Sequence, residues 1–88
     1  MKIKFESSFE KDLKKIKNNK LFQRIKNIIQ EVKEVDEPYF MPNLKKMKGY
    51  DTFYRIRTGD YRIGIEIIDD VVIFARILHR KDIYKFFP

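Results

Sequence analysis

Three arginines, a histidine and a tyrosine in the second half of the chain have the types and spacing for work on a phosphate. Arg55 and Arg57 stand two apart in FYRIRT, Arg62 follows in YRIGIEI, and His79 and Tyr84 lie further on. Gly59-Asp60 between the first two segments is the signature of a two-residue type II′ hairpin turn. That turn sets Arg57 opposite Arg62 and Arg55 opposite Gly64. Directly opposed like charges destabilise a sheet, and a bound phosphate would remove the cost. The bland alternative is that long arginines splay into water beside Glu66.

A set of guanidinium groups with one imidazole and one phenol suits one reaction, attack of an RNA 2′-hydroxyl on the neighbouring phosphate. The substrate supplies the nucleophile. The protein holds the phosphate in line, neutralises charge on its oxygens and moves protons. Arginine forks bind phosphate bidentately and stay charged. His79 has the one side chain whose ordinary pKa lies near neutrality, and is the candidate base or acid; the competing reading is a strand-end cap. Tyr84 is placed to stack on an extruded base, or else packs in the C-terminal turn. Lys45, Lys46 and Lys48 precede the arginine strand and extend its positive field toward RNA.

Other chemistries lack their residues. Only three glycines are present and they lie far apart, so there is no phosphate-binding glycine loop. One histidine and no cysteine exclude the commoner zinc sites. Acidic residues do not cluster with the arginines, which disfavours a magnesium-dependent nuclease. No cofactor or metal is expected.

The elements that must position these side chains follow from periodicity. MKIKFE alternates as a first strand with Ile3 and Phe5 inward. Ser7-Ser8-Phe9-Glu10 matches a capping box, opening a helix with Phe9, Leu13 and Ile16 on one stripe. Asn18-Asn19 interrupts it, and a second helix runs from about Lys20 to Val35. Its Phe22, Ile25, Ile29 and Val32 form one row, flanked by Leu21 and Ile28, with lysines outside. Asp36–Asn43 holds two prolines and no period, and reads as a loop draped over a sheet edge. Leu44–Lys48 leads into the arginine hairpin.

Asp69-Asp70 gives a second two-residue turn, pairing Ile68 with Val71, Gly64 with Ala75 and Arg62 with Ile77. Alternation then puts Tyr54, Ile56, Tyr61, Ile63, Ile65, Ile67, Val72, Phe74 and Leu78 on a core face. Arg76 falls among them and is expected to pair with a helix acid. Arg55, Arg57, Arg62, Gly64, Ala75 and His79 share the other face, left shallow in its middle for a docked backbone. Arg80–Pro88 closes the chain as a turn or short helix. The expected fold is α+β: strand, helix, helix, then a three-stranded antiparallel meander, with the helical hairpin packed on one face of the sheet.

With 88 residues the chain has room for one domain, expected to span 1–88. Twenty Lys and Arg against 13 acids give a formal charge of +7, which favours an anionic partner, most commonly nucleic acid. Absence of cysteine fits a reducing cytoplasm. The N-terminus lacks the apolar core of a signal peptide, and no run is long enough for a membrane span.

The order of elements, with YRIRTGDYRIGIEI followed by ILHRKDIYKFFP, resembles the RelE toxins of the RelE/ParE superfamily over essentially the whole chain. The most specific parts are G-D-YRI after a basic strand and R-K-D-I-Y near the end. The resemblance implies a ribosome-dependent endoribonuclease that cuts mRNA without a metal, leaving a cyclic phosphate and a 5′-hydroxyl. It implies a cognate antitoxin that neutralises the toxin, with operator DNA bound only through their complex. By position, the family's two basic residues fall on Arg55 and Arg57, and its phosphate-binding arginine on Arg62. The late arginine that stabilises phosphate or leaving group falls on Arg80, and the C-terminal tyrosine on Tyr84. Archetypal members carry lysines at the first two positions, one of them the favoured base. Arginine keeps its proton, so His79, similar to a histidine of other branches, is expected to take over. Two rival readings share the fold: a ParE-like gyrase poison without catalysis, and an inactive member that binds RNA or a partner. An antitoxin needs exposed apolar surface, for which Ile68, Val71, Ile73 and Ile77 are candidates; the alternative is that the loop containing Tyr39 to Met41 covers them.

Overall fold

The hairpin joining β3 (Phe53–Thr58) to β4 (Tyr61–Ile68) takes the register that Gly59-Asp60 dictates, with Arg57 opposite Arg62 and Arg55 opposite Gly64. Gly59 turns the chain at φ +60°, a conformation open to glycine at no steric cost. This hairpin belongs to a computed structural model describing residues 1–88.

The five-stranded sheet has the order β1-β5-β4-β3-β2. Leu44–Lys46 is a strand, β2, antiparallel to β3, where the sequence suggested only a lead-in. β1 (Lys2–Phe5) runs parallel to the first half of β5 (Val71–His79). Helices α1 (Ser7–Lys14) and α2 (Asn19–Glu34) both pack on one face. Leu21, Ile25 and Val32 bury there, whereas Phe22 is exposed. Asn18 caps α2 by accepting from the Leu21 N–H. Pro38–Phe40 is a single 3₁₀ turn with Pro38 and Met41 buried and Phe40 in solvent. Tyr39 leans edge-on against Tyr54, so the loop covers β3 rather than the Ile68–Val71 end. No helix is long and apolar enough to cross a membrane.

A β-bulge in β5 changes the register halfway along. Ile65 pairs with Phe74 but Gly64 pairs with Arg76, which leaves Ala75 as the extra residue. Arg62 therefore lies opposite Leu78 and Tyr61 opposite His79, one residue on from the straight register. A one-residue slip exchanges faces for every residue beyond it. Ile77, expected on the arginine side, is buried in the helix-side core. Leu78 moves the other way.

The bulge lies where β1 ends, so the outer edge of β5 has no strand partner beyond Phe74. Helix α1 satisfies that edge with side chains. Ser8 Oγ donates to the Ala75 carbonyl at 2.7 Å, and the Ile77 N–H donates to Asp12 Oδ2 at 3.1 Å. The capping box does not form: Glu6 is the N-cap residue and makes no side-chain cap bond. Asp12 also accepts from Arg76 twice, at 2.7 Å from Nε and 3.1 Å from Nη2. Arg76 thus pairs with a helix acid as expected, although at the sheet edge and not inside the core face.

The opposite face is partly closed by the chain's own C-terminus. The short helix α3 (Ile83–Phe86) and Phe87 pack Ile83 and Phe87 against Met47, Phe53, Ala75 and Leu78. A Cβ on Gly64 would lie 2.7 Å from the Phe87 ring. The shallow middle of this face accommodates Phe87, not a docked substrate backbone.

Candidate active site

The part of this face left open beside Phe87 carries the arginines. Arg55 and Arg57 project from β3 and Arg62 from β4, and the last turn after β5 adds Arg80 and then Tyr84. Arg62 has its proton affinity pushed below the ordinary guanidinium value, first by burial and then by the positive charges of Arg55 and Arg57, with Arg80 adding to them. Tyr84 acts in the opposite direction. Four residues named from the sequence, Arg55, Arg57, Arg80 and Tyr84, thus lie near enough to act on the charge of Arg62. The molecule's ion pairs are Lys2–Asp70, Lys46–Asp51 and Arg76–Asp12, so none of the four clustered arginines has a carboxylate partner. No three His, Cys, Asp or Glu side chains gather in a set that could hold a metal ion.

Backbone carbonyls aim the guanidinium groups. Arg62 Nη1 donates to the Gly59 and Tyr61 carbonyls, each at 2.9 Å, and folds back over its own turn. Arg55 Nη1 donates to the Asn43 carbonyl at 3.2 Å, while its Nε is buried without a partner. A buried N–H lacking an acceptor is costly, which marks the Arg55 side chain as under-satisfied within the fold. The backbone binds the last turn to the hairpin tip, because the Arg80 N–H donates to the Asp60 carbonyl at 2.7 Å. Tyr84 stands 63% exposed at the rim.

His79 is not in this cluster. The bulge places it opposite Tyr61 on the helix side, with the two rings edge-on at 5.6 Å. Its Nδ1 accepts the Lys81 N–H at 3.1 Å, and it lines a separate cleft with Asp12 and Lys15. The expected location beside Arg62 came from a straight β5. Of the three lysines, Lys45 pairs across from Arg55 and shares its face, whereas Lys46 lies opposite Tyr54 on the other side and within 3.8 Å of Asp51. Lys48 is exposed beyond the strand. Asn43 went unrecognised in the sequence. Its φ of +67° turns its carbonyl toward both Arg55 and the Arg57 N–H, and Pro-Asn before a basic strand was the available turn signal.

A helical hairpin over an antiparallel meander is a fold shared with known toxins. Residues 3–84 match the family model described as the ParE toxin of type II toxin-antitoxin system, parDE. Toxin RelE3 of Methanocaldococcus jannaschii is 47% identical over 89 residues, covering 100% of both chains. The fold superposes with a TM-score of 0.82 on a chain of the RelB-RelE antitoxin-toxin complex from Methanococcus jannaschii, at 46% identity over 97% of this chain and 99% of that one. The intact Escherichia coli RelBE toxin-antitoxin complex shares the fold, at a TM-score of 0.69 and 24% identity over 86% of this chain and 92% of that one. The chain therefore belongs to the RelE/ParE superfamily of type II toxin–antitoxin toxins. Within it, the relatives at 46–47% identity carry the RelE name.

Proposed function

We propose that this toxin is a ribosome-dependent mRNA endoribonuclease that needs no metal. The observation that carries the reading is the group of four arginines around Arg62 without a single carboxylate partner. Arg55, Arg57 and Arg62 grip the non-bridging oxygens of one phosphodiester and hold it for in-line attack by the adjacent 2′-oxygen. The bond from phosphorus to the 5′-oxygen breaks, giving a 2′,3′-cyclic phosphate and a 5′-hydroxyl. Arg80, brought in by its bond to the hairpin tip, offsets charge on the departing oxygen. Tyr84 offers its ring to a base and is the one member of the cluster able to release a proton. It gives its phenol proton to the departing 5′-oxygen, while the 2′-hydroxyl proton passes to water and the phenolate is reprotonated from solvent. Tyr84 takes the proton-transfer role expected of His79, because His79 lies outside the cluster, where it accepts the Lys81 N–H and positions the turn that carries Arg80. The partner is a cognate antitoxin that occludes the arginine face, and the toxin acts in the cytoplasm on ribosomes.

Brief expression without antitoxin, followed by sequencing of RNA 5′ ends, tests the reading: cuts within translated codons are expected. Tyr84→Phe keeps the ring and removes the proton carrier, and should slow cleavage about 100-fold or more; an unchanged rate would restrict Tyr84 to stacking. The ParE name of the family model supports a second reading, a non-catalytic gyrase poison. Intact mRNA with altered supercoiling would select it.

A further inference from the structure

Beside the arginine cluster, α2 and the tip of the β3–β4 hairpin line a cleft of about 510 Å³, of which the proposed reaction uses only Arg57. That volume is ordinary for a small-ligand site. Arg24, Asn27 and Glu31 line it from the helix, Arg57 and Asn43 from the sheet, and Ile28 is its one apolar member. Arg24 has no carboxylate partner, and its Nη2 lies 3.0 Å from where a side chain on Gly59 would begin. Any larger residue at the hairpin tip would push this guanidinium aside. Asn27 Oδ1 accepts from Gln23 Nε2 at 3.3 Å, which leaves the amide donors of Asn27 without an assigned acceptor.

We infer that this cleft binds one nucleotide of the RNA strand next to the cleaved step, with Arg24 and Arg57 on its phosphate and Asn27, Asn43 and Glu31 toward its base. Two guanidinium groups supply phosphate recognition. Carboxamides and a carboxylate are the groups that read base edges, and single-stranded RNA presents those edges unpaired. An apolar peptide would find only Ile28 to bury against, and an acidic one would meet Glu31. Arg57 belongs to both sites, so a strand gripped at Arg62 leads its neighbouring nucleotide into the cleft. The inference rests on the ribonuclease reading and extends it to a second contact that sets which sequences are cut.

The test follows the side-chain amide NMR signals of Asn27 and Asn43 while each of the four ribonucleoside 5′-monophosphates is added to the free toxin. At least one nucleotide should shift both amides, while inorganic phosphate leaves Asn27 unmoved. Arg24→Gln, at an exposed helix position, should weaken that nucleotide roughly tenfold, as expected for one lost charge-assisted bond. Amides that ignore all four nucleotides overturn the inference, even if the toxin cuts mRNA on ribosomes. Shifts produced by a glutamate-rich peptide and by no nucleotide overturn it too, and make the cleft a protein surface. Nucleotide shifts in a toxin that cuts no mRNA uphold the cleft and reject the ribonuclease reading.

Discussion

Arg76 and Arg62 stand on adjacent strands two rungs apart, yet their surroundings are opposite. Arg76 meets Asp12 through two hydrogen bonds, and that partnership raises its proton affinity. Arg62 bonds only to carbonyls, and its affinity falls through burial and then the charges of Arg55 and Arg57, with Tyr84 opposing them. The first arrangement closes a free strand edge and is complete within the chain. The second concentrates positive charge that only something from outside neutralises. On the proposed function, stability and cleavage fall to separate arginines, and each can be removed independently.

The largest effect is expected at Arg62. Replacing it with Ala removes the proposed phosphate contact and should cost about 3–4 kcal/mol of transition-state stabilisation, or about 10²–10³-fold in cleavage. The folded state should survive, because Arg62 bonds only to carbonyls of its own turn. Single-turnover cleavage on programmed ribosomes, alongside a thermal melt, measures both. Full toxicity in this variant would mean that the bare arginines are not the site.

Asp12→Ala should give the reverse pattern. It leaves Arg76 unpaired, frees the Ile77 N–H and opens the edge beyond the bulge. Losing one partner of a buried pair costs several kcal/mol. Arg76 keeps 26% of its side chain in solvent and can rehydrate, so about 2–3 kcal/mol is expected, or roughly 10–20 °C in melting temperature. Cleavage per folded molecule should be unchanged. A folded Asp12→Ala toxin that no longer cuts would break the separation. No pH window follows from either arginine. Arg76, with its affinity raised, stabilises below its unfolded pKa and loses that contribution only above its folded one, beyond any working pH; Arg62, although lowered, stays protonated too.

The arginine cluster was legible because Gly59-Asp60 carries its own register, and every rung from Arg57–Arg62 to Arg55–Gly64 follows from that turn. The Asp69-Asp70 turn was legible for its first rungs only. Ala75 bulges with no Gly, Pro or Asn in β5 itself, only Gly64 across the ladder, so the straight register carried His79 and Ile77 to the wrong faces. One clue was available: a straight β5 places Arg76 alone among Ile, Val and Phe side chains, and a charge on an apolar face marks a change of phase. Ser7 and Ser8 misled for the same reason. Ser7, read as the cap, lies inside the helix, and the neighbouring Ser8 hydroxyl is drawn to the Ala75 carbonyl that the bulge leaves without a strand. The parallel pairing of β1 with β5 involves residues about 70 apart, with no turn between them to fix it. Five of the six proposed catalytic residues nonetheless converge, since Arg80 and Tyr84 are held by the backbone bond to Asp60 and by Ile83 in its pocket, not by the face alternation of β5.

The smallest expected effect probes the cost of leaving the arginines bare. Arg57 faces Arg62 directly across the ladder, and opposed like charges cost a sheet about 0.2–1 kcal/mol. Arg57 is exposed, which places the pair at the lower end of that range. Its N–H bond to the Asn43 carbonyl belongs to the backbone and survives a side-chain change. Arg57→Gln should therefore raise the melting temperature slightly at low ionic strength while reducing cleavage. The gain should vanish as salt shortens the screening length to a few ångströms, and it should shrink when inorganic phosphate is added to the wild type, because a bound anion relieves the same repulsion. A lower melting temperature for Arg57→Gln at low salt would show that its guanidinium already has a partner within the fold, and the contrast between Arg76 and the cluster would then lose one of its members.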